Sequence, residues 1–453
     1  MEIAILGHMG RDEAIADRLQ GQQLHVLGQW ANPGLVEKAE ASGGEFHTIK
    51  SIKDNEDIAD YIQAIEPDMF LTHFDDALAS GVVDAIKRRV TDKRMLPVLI
   101  PSPDQASARV EWDKFYLRKL IDMLDPEFNP QNYMVTSIAE ANAAIDAFQS
   151  LGKEIALKPR NLTGGKGVKV QGKHFETYNE ANTYAAGVLG ASNQQGLEVQ
   201  EKLEGYEFTL QLLTDGQTLI LPPATYDYPY REDGDVGPGT GGMGAFSMKA
   251  TEQLPFLDQT DYNAAIALMK QLLVVMRDRG DDYKGVLYPT FFKTCNGLKI
   301  VEVNARGGDP ELINILDLLE DSVDFASVLR ATALGELDSA SVQFQPLASA
   351  MVYLVHPEYG HSRAEPITFS MDADVIAAIG CEVRFAAAES IAAKTYQTAS
   401  TSRIVGLSAL DDTPWAARAK IDEAIQGGFG AELALAYRQD VANEMYIKQM
   451  GGF

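Results

Sequence analysis

Short apolar runs alternate with amphipathic ones through the first hundred residues. Residues 2–6 form an apolar run of strand length, and Gly7-His8-Met9-Gly10 turns it into a helical pattern over 11–19. Further strands are predicted at 24–27, more weakly at 46–49, and at 68–72 and 96–100, with helices over 58–65 and 78–90. Strands alternating with helices predict a parallel sheet covered on both faces. Ligands in such sheets collect at the carboxyl ends of strands, here near 7–11 and 72–76. Val110, Lys114, Leu117 and Ile121 recur at helical spacing and predict one helix over 104–123. A smaller α/β segment follows at about 130–195, with strands at 154–158 and 168–170. The middle, 196–334, carries strands at 197–200, 208–214, 218–221, 285–293 and 298–304, with a helix over 262–279. Beyond Leu334 a compact tail shows a strand near 350–355 and a helix over 414–426.

At 453 residues the chain exceeds one hydrophobic core, so two to four domains are expected. Its net charge of −26 repels nucleic acid and anionic membrane, so neither is expected as a partner. Cys295 and Cys381 are the only cysteines and form no CxxC pair, which argues against a zinc ribbon or a disulfide framework. The first residues lack a basic leader, and no apolar run reaches bilayer length, so the expected location is cytoplasmic.

Residues 231–247 change the picture from architecture to chemistry. Six glycines fall between Gly234 and Gly244, with Asp235 the only charge among them. So many glycines are costly inside a helix or strand, and they suit a loop whose bare backbone approaches a ligand. Asn161-Leu162-Thr163-Gly164-Gly165-Lys166-Gly167 is a second glycine segment, set between two strands. It reads either as a flap over a polyphosphate, with Lys166 or Lys158 adding charge, or as an ordinary hairpin turn. In the strand ending Glu302-Val303-Asn304-Ala305-Arg306, the three polar side chains share one face. A carboxylate and an amide oxygen two residues apart can hold a hard cation such as Mg²⁺, with substrate phosphates completing the shell. Residues 200–207 join two strands; such a segment can bond an adenine edge, with Glu207 on the ribose, or can be a solvated hinge. No GxSxG or HExxH motif is present, which disfavours a hydrolase and suits phosphoryl transfer.

In order, these segments resemble the ATP-grasp superfamily and, within it, the phosphoribosylamine–glycine ligases. The sharpest parts are Gly234-Asp235-Val236-Gly237-Pro238 through Gly241-Gly242-Met243-Gly244-Ala245-Phe246-Ser247, Lys284-Gly285-Val286-Leu287-Tyr288, and Glu302 through Glu311. Leu213-Thr214-Asp215-Gly216 and Tyr437-Arg438-Gln439-Asp440 are also similar. The resemblance implies a multidomain fold mixing α/β and α+β parts. A Rossmann-like N-terminal domain would span 1–104 and an ATP-grasp core 105–334 with a small lid at about 125–195. A C-terminal α+β domain would span 335–453. It implies Lys114 and Lys158 as ATP-phosphate lysines, with Gly164, Gly165 and Lys166 in the lid. Glu201, Leu203 and Glu207 would clamp the adenosine, and Glu302 with Asn304 would hold Mg²⁺ or Mn²⁺. Asp235 would meet the ammonium and Arg306 the carboxylate of a small amino acid. Gly10, Arg11, Gly241, Gly242, Met243, Gly244 and Asp309 complete the implied substrate site. The implied reaction activates a carboxylate with ATP and passes it to an amine. ATP, glycine and phosphoribosylamine are the implied small-molecule partners of a monomer or small homo-oligomer.

Five places depart from the family's pattern. A Gly-Gly-Arg-Glu-His-Ala run is Met9-Gly10-Arg11-Asp12-Glu13-Ala14 here, and Gly-Pro-Glu after the fourth strand is replaced by His73-Phe74-Asp75-Asp76. The family's lid segment, Lys-Ala-Asp-Gly-Leu-Ala-Ala-Gly-Lys-Gly, is Lys158-Pro159-Arg160-Asn161-Leu162-Thr163-Gly164-Gly165-Lys166-Gly167 here. Asn in the Gly-Pro-Asn-Thr run is Gly239, and Phe after the strand arginine is Gly307. Two of these lie where the amine is expected, so a ligase joining a small amino acid to a different amine is the alternative. Gly7 to Gly10 also admits a dinucleotide-binding reading, although it lacks the GxGxxG spacing.

Overall fold

The first sheet has four parallel strands in the order Glu45–Thr48, Gln23–Gly28, Glu2–Leu6, Met69–Thr72. The computed structural model describes residues 1–93, 97–162, 167–191, 195–430 and 433–452. Ile3 to Leu6 are fully buried, as a continuous apolar run demands when both sheet faces are covered. The helix Gly10–Asp17 follows, and Asp12 closes its entry turn by accepting from the His8 and Met9 N–H groups, each at 2.9 Å. The single helix expected over 78–90 is two, Asp75–Ser80 and Val82–Lys93, divided at Gly81, whose φ is 90°. The strand expected at 96–100 lies partly outside the described residues, and 97–100 form only a parallel bridge from Leu99 to Met69.

The helix expected over 104–123 is also broken, into Arg109–Trp112 and Lys114–Leu124. Asp113 is the break. Its side chain accepts the Tyr116 N–H as an N-cap, and it pairs with Arg109 at 2.9 Å and with both Nε and Nη2 of Arg160 at 2.7 and 2.8 Å. An apolar stripe runs through both pieces, so periodicity alone could not register the cap.

Residues 132–201 make a unit with its own core. Its antiparallel sheet has the order Asn132–Val135, Leu197–Glu201, Ile155–Pro159, Lys169–Val170. The helices Ile138–Ser150 and Tyr178–Gly190 begin with reciprocal caps, Ser137 with Glu140 and Thr177 with Glu180. Ile145, Phe148, Leu157 and Leu197 belong to a cluster separate from the remaining core.

A nine-stranded sheet organises the rest. Its path runs Leu212–Thr214, Gly285–Thr294, Tyr206–Thr209, Thr225–Asp227, Gly244–Ser247, Ala348–Val355, Arg403–Asp411, Cys381–Phe385, with Gly297–Asn304 also paired to Gly285–Thr294. The expected strand 208–214 is thus two short ones. Residues 218–221 form only a bridge from Leu219 to Thr214, because Pro222 and Pro223 follow and offer no N–H to a ladder. Thr290 lies opposite Glu302 and Phe291 opposite Ile300, so Val301 bulges out of the pairing.

Candidate active site

Lys158 sits on the strand Ile155–Pro159 directly opposite Glu198, and both are buried. Its pKa is pushed down to about 8, chiefly by burial; Arg118 and Lys114 add to this, while Glu198 and Glu302 oppose it. Lys114 opens the helix Lys114–Leu124, and both it and Glu302 stand close enough to Lys158 to act on its charge. Arg118, on the same helix, was not anticipated from the sequence. It is 1% exposed and donates to Glu198 at 2.6 Å and to the carbonyls of Ile300 and Val301 at 2.9 and 2.8 Å. The bulge at Val301 presents these two carbonyls to one guanidinium. Arg118 therefore ties the small domain to the strand that carries Glu302 and Asn304.

Asn304 Nδ2 lies 3.2 Å from Glu302 Oε1, so the two side chains are on one face, as the period-two reading requires. Glu207 and Asp227 stand close enough to feel Glu302 and Glu311, and burial together with this mutual repulsion raises both carboxyls. Asp227 Oδ1 and Glu311 Oε2 are buried with no hydrogen-bond partner. Such crowding of negative charge fits a counter-cation. Among the described residues no group of three His, Cys, Asp or Glu side chains could hold an ion by itself. Glu302 and Asn304 thus suit Mg²⁺ that draws its other ligands from phosphates and water. Glu201 is turned elsewhere: its carboxylate accepts the Gln131 N–H and pairs with Lys153, each at 2.8 Å. Leu203 lies in the loop between Leu197–Glu201 and Tyr206–Thr209. Gly164, Gly165 and Lys166 fall outside the described residues.

Arg306 leaves the strand beside Tyr288, with its Nε 3.4 Å from Glu111. Glu111 also accepts the Ala305 N–H at 2.8 Å, and burial pushes it up to about 7 against the pull of Arg306, with Asp75 and Glu302 adding to the rise. Neither Glu111 nor Asp75 was singled out by motif. Asp235 has φ 58° and its Oδ1 accepts from Arg438 at 2.8 Å; Arg438 is fixed in turn by Asp440, which also accepts the Gly234 N–H. The Tyr437-Arg438-Gln439-Asp440 segment thereby holds the turn that presents Asp235.

The glycine tract divides in two. At Gly234 and Gly239 a Cβ would meet nothing within 4 Å, so the backbone there is open. At Gly242 it would sit 2.6 Å from Pro310 Cδ, and at Gly244 2.6 Å from the Met351 carbonyl, so these glycines admit protein. Arg403 donates to the carbonyls of both Gly241 and Asp309, stapling the tract to the turn after Arg306. Asp309 is committed to Tyr353 and Arg403, and Met243 is wholly buried. At the first helix Gly10 packs against Tyr353, and Arg11 Nη1 donates to the Gly307 carbonyl at 2.6 Å.

The family model for the phosphoribosylglycinamide synthetase ATP-grasp (A) domain matches residues 113–312. A phosphoribosylamine–glycine ligase of Methanobrevibacter smithii is 34% identical over 397 residues, covering 85% of each chain. The chain belongs to the phosphoribosylamine–glycine ligase family. A second member, from Methanocella arvoryzae, is 31% identical over 461 residues and covers 99% of this chain and 98% of its own. The solved ligase of Thermotoga maritima superposes with a TM-score of 0.76 at 21% identity, covering 98% of this chain and all of the other. The biotin carboxylase domain of Hydrogenobacter thermophilus 2-oxoglutarate carboxylase, solved with MgADP and bicarbonate, shares the fold at a TM-score of 0.66 and 13% identity, covering 95% and 91%. The chain thus has the ATP-grasp multidomain α/β fold with its lid. No described helix is long and apolar enough to cross a membrane.

Proposed function

We infer that this chain is the ATP-dependent ligase that joins glycine to 5-phosphoribosylamine in purine biosynthesis. A glycine carboxylate oxygen attacks the γ-phosphorus, ADP leaves, and glycyl phosphate forms. The amine nitrogen then attacks the acyl carbon, phosphate leaves, and the nitrogen loses a proton to give the amide. The single observation that carries this reading is that Arg118 bonds both Glu198, opposite Lys158, and the carbonyls of Ile300 and Val301 beside Glu302, so that Lys158 stands within electrostatic reach of Lys114, Glu207 and Glu302.

In this reading Lys114 and Lys158 take the phosphates. Glu201, through its backbone, with Leu203 and Glu207, holds the adenosine. Asp235, set by Arg438, takes the glycine ammonium, and Arg306, braced by Glu111, takes the carboxylate. Gly10, Arg11 and Asp309 border the amine side, where Arg11 would leave the Gly307 carbonyl to reach an anion. Glu302 and Asn304 would hold Mg²⁺ or Mn²⁺ once Asn304 presents Oδ1 instead of Nδ2, and the ion would offset phosphate charge. Residues 1–104 form a Rossmann-like domain, 105–334 the core with its lid, and 335–453 an α+β domain, in a cytoplasmic enzyme.

Phosphate release from Mg-ATP and glycine, with and without phosphoribosylamine generated in situ, tests the reading. Release that requires phosphoribosylamine is expected. Release that ignores it but appears with another amine would replace the amine assignment.

A further inference from the structure

Gly307, the residue after Arg306, is gripped at both of its polar backbone groups. Its N–H donates to His73 Nδ1 at 2.9 Å, and its carbonyl accepts from Arg11 Nη1 at 2.6 Å and Arg306 Nη1 at 3.3 Å. The next N–H, of Gly308, donates to Gln211 Oε1 at 2.8 Å. His73 lies just beyond the strand Met69–Thr72, at the edge of the first sheet, and is 7% exposed. Accepting at Nδ1 requires that nitrogen to be bare, so the ring carries its proton on Nε2 and is neutral. Burial, and then the guanidiniums of Arg11 and Arg306, hold its pKa well below the ordinary value. The ring thus supplies an acceptor between two cations without adding a third charge.

We propose that His73 is a positioning residue for the ligation: by holding the Gly307 N–H it sets the direction in which Arg306 leaves its strand and faces the substrate carboxylate. The space around the contact supports this. A Cβ on Gly307 would come 3.2 Å from His73 Nδ1 and collide with Leu312, so the imidazole and the bare backbone occupy the site as a pair. Arg306, 233 residues further along the chain, is thereby referenced to the first sheet as well as to its own.

The proposal rests on the ligase reading for the role of Arg306, so two measurements are paired in the full-length protein. In the first, His73→Leu and His73→Asn are compared in steady-state kinetics; Asn keeps an acceptor oxygen. An unsatisfied buried N–H predicts that His73→Leu lowers kcat/KM for glycine roughly ten- to hundredfold while KM for ATP stays within about twofold, and that His73→Asn recovers most of the loss. In the second, hydrogen exchange at the Gly307 amide is followed without substrates; it is faster in His73→Leu than in the wild type or His73→Asn. If His73→Leu does not fold, His73→Ala takes its place in both. Equal loss in the Leu and Asn variants, a parallel rise in the KM values for ATP and glycine, or unchanged Gly307 exchange overturns the proposal. A wild-type protein that does not ligate glycine overturns the ligase reading itself, and the exchange experiment shows whether the contact stands apart from it.

Discussion

Replacing Lys158 by Met should make the protein more stable and inactive at once. The pKa of Lys158 falls from 10.5 to about 8 on folding, mainly through burial. That drop corresponds to about 3 kcal/mol by which the folded state disfavours the charged ammonium. Below pH 8 the group is charged whether the chain is folded or not, and the folded state carries the whole cost. Between 8 and 10.5 the unfolded chain binds more protons, so this group makes stability rise with pH. Above 10.5 both states are neutral and the cost is gone. Met fills similar volume without charge, and Glu198 keeps its partner Arg118 at 2.6 Å. Lys158→Met is therefore expected to gain up to about 3 kcal/mol at pH 7, with the gap to wild type narrowing as pH rises from 8 and closing above 10.5. Urea denaturation of both proteins at several pH values, read at matched midpoints, measures it. A Met variant less stable than wild type at pH 7 would show that the ammonium is a net stabiliser and refute the reasoning. Phosphate release by the same variant should be lost under the proposed role, in which this charge meets the ATP phosphates.

The same titration should show in wild-type kinetics: kcat/KM for ATP is expected to fall about tenfold per pH unit above 8, and a flat profile to pH 9.5 would remove Lys158 from phosphate binding. Glu302→Ala should abolish ATP turnover while near-ultraviolet circular dichroism is unchanged; near-normal turnover would end the metal assignment. Arg118→Met strips the partner from buried Glu198 and frees two bulge carbonyls, so a loss of about 3–5 kcal/mol in denaturant titrations is expected. Asp235→Asn should raise the glycine KM at least tenfold with little change in the ATP KM, since a neutral amide attracts an ammonium weakly.

The sequence made the chemistry more legible than the packing beneath it. Glu302 and Asn304 do share a face, since alternation is a local property of a strand, yet the bulge at Val301 depends on Arg118, 183 residues away. The helix over 104–123 failed at Asp113 because the capping acid is held by Arg160, from the 132–201 unit. Glu111 gave no motif at all, and Asp75 stood only within the departing stretch His73 to Asp76; their importance lies in meeting Arg306, which only the tertiary fold decides. The glycine tract was legible as unusual, but its sequence could not separate open positions from those pressed against Pro310 and Met351. His73 stood out only as a departure, and its partner Gly307 could not be inferred. In the C-terminal tail the strands Cys381–Phe385 and Arg403–Asp411 carry weaker apolar signals and were not anticipated.

The unbroken ladder from Gly244–Ser247 into Ala348–Val355 bears on how this enzyme can be cut or evolved. Residues 113–312, the stretch that matches the family model, are not a detachable module. Severed there, the strand behind the glycine tract would become a bare edge, with unpaired N–H and carbonyl groups open to another chain. Arg403, Tyr353 and Arg438, which hold the turns bearing Gly241, Asp309 and Asp235, would go with the lost piece. The tail is thus part of the same sheet that carries Glu302 and Asn304, and a fragment that omits it loses that continuity.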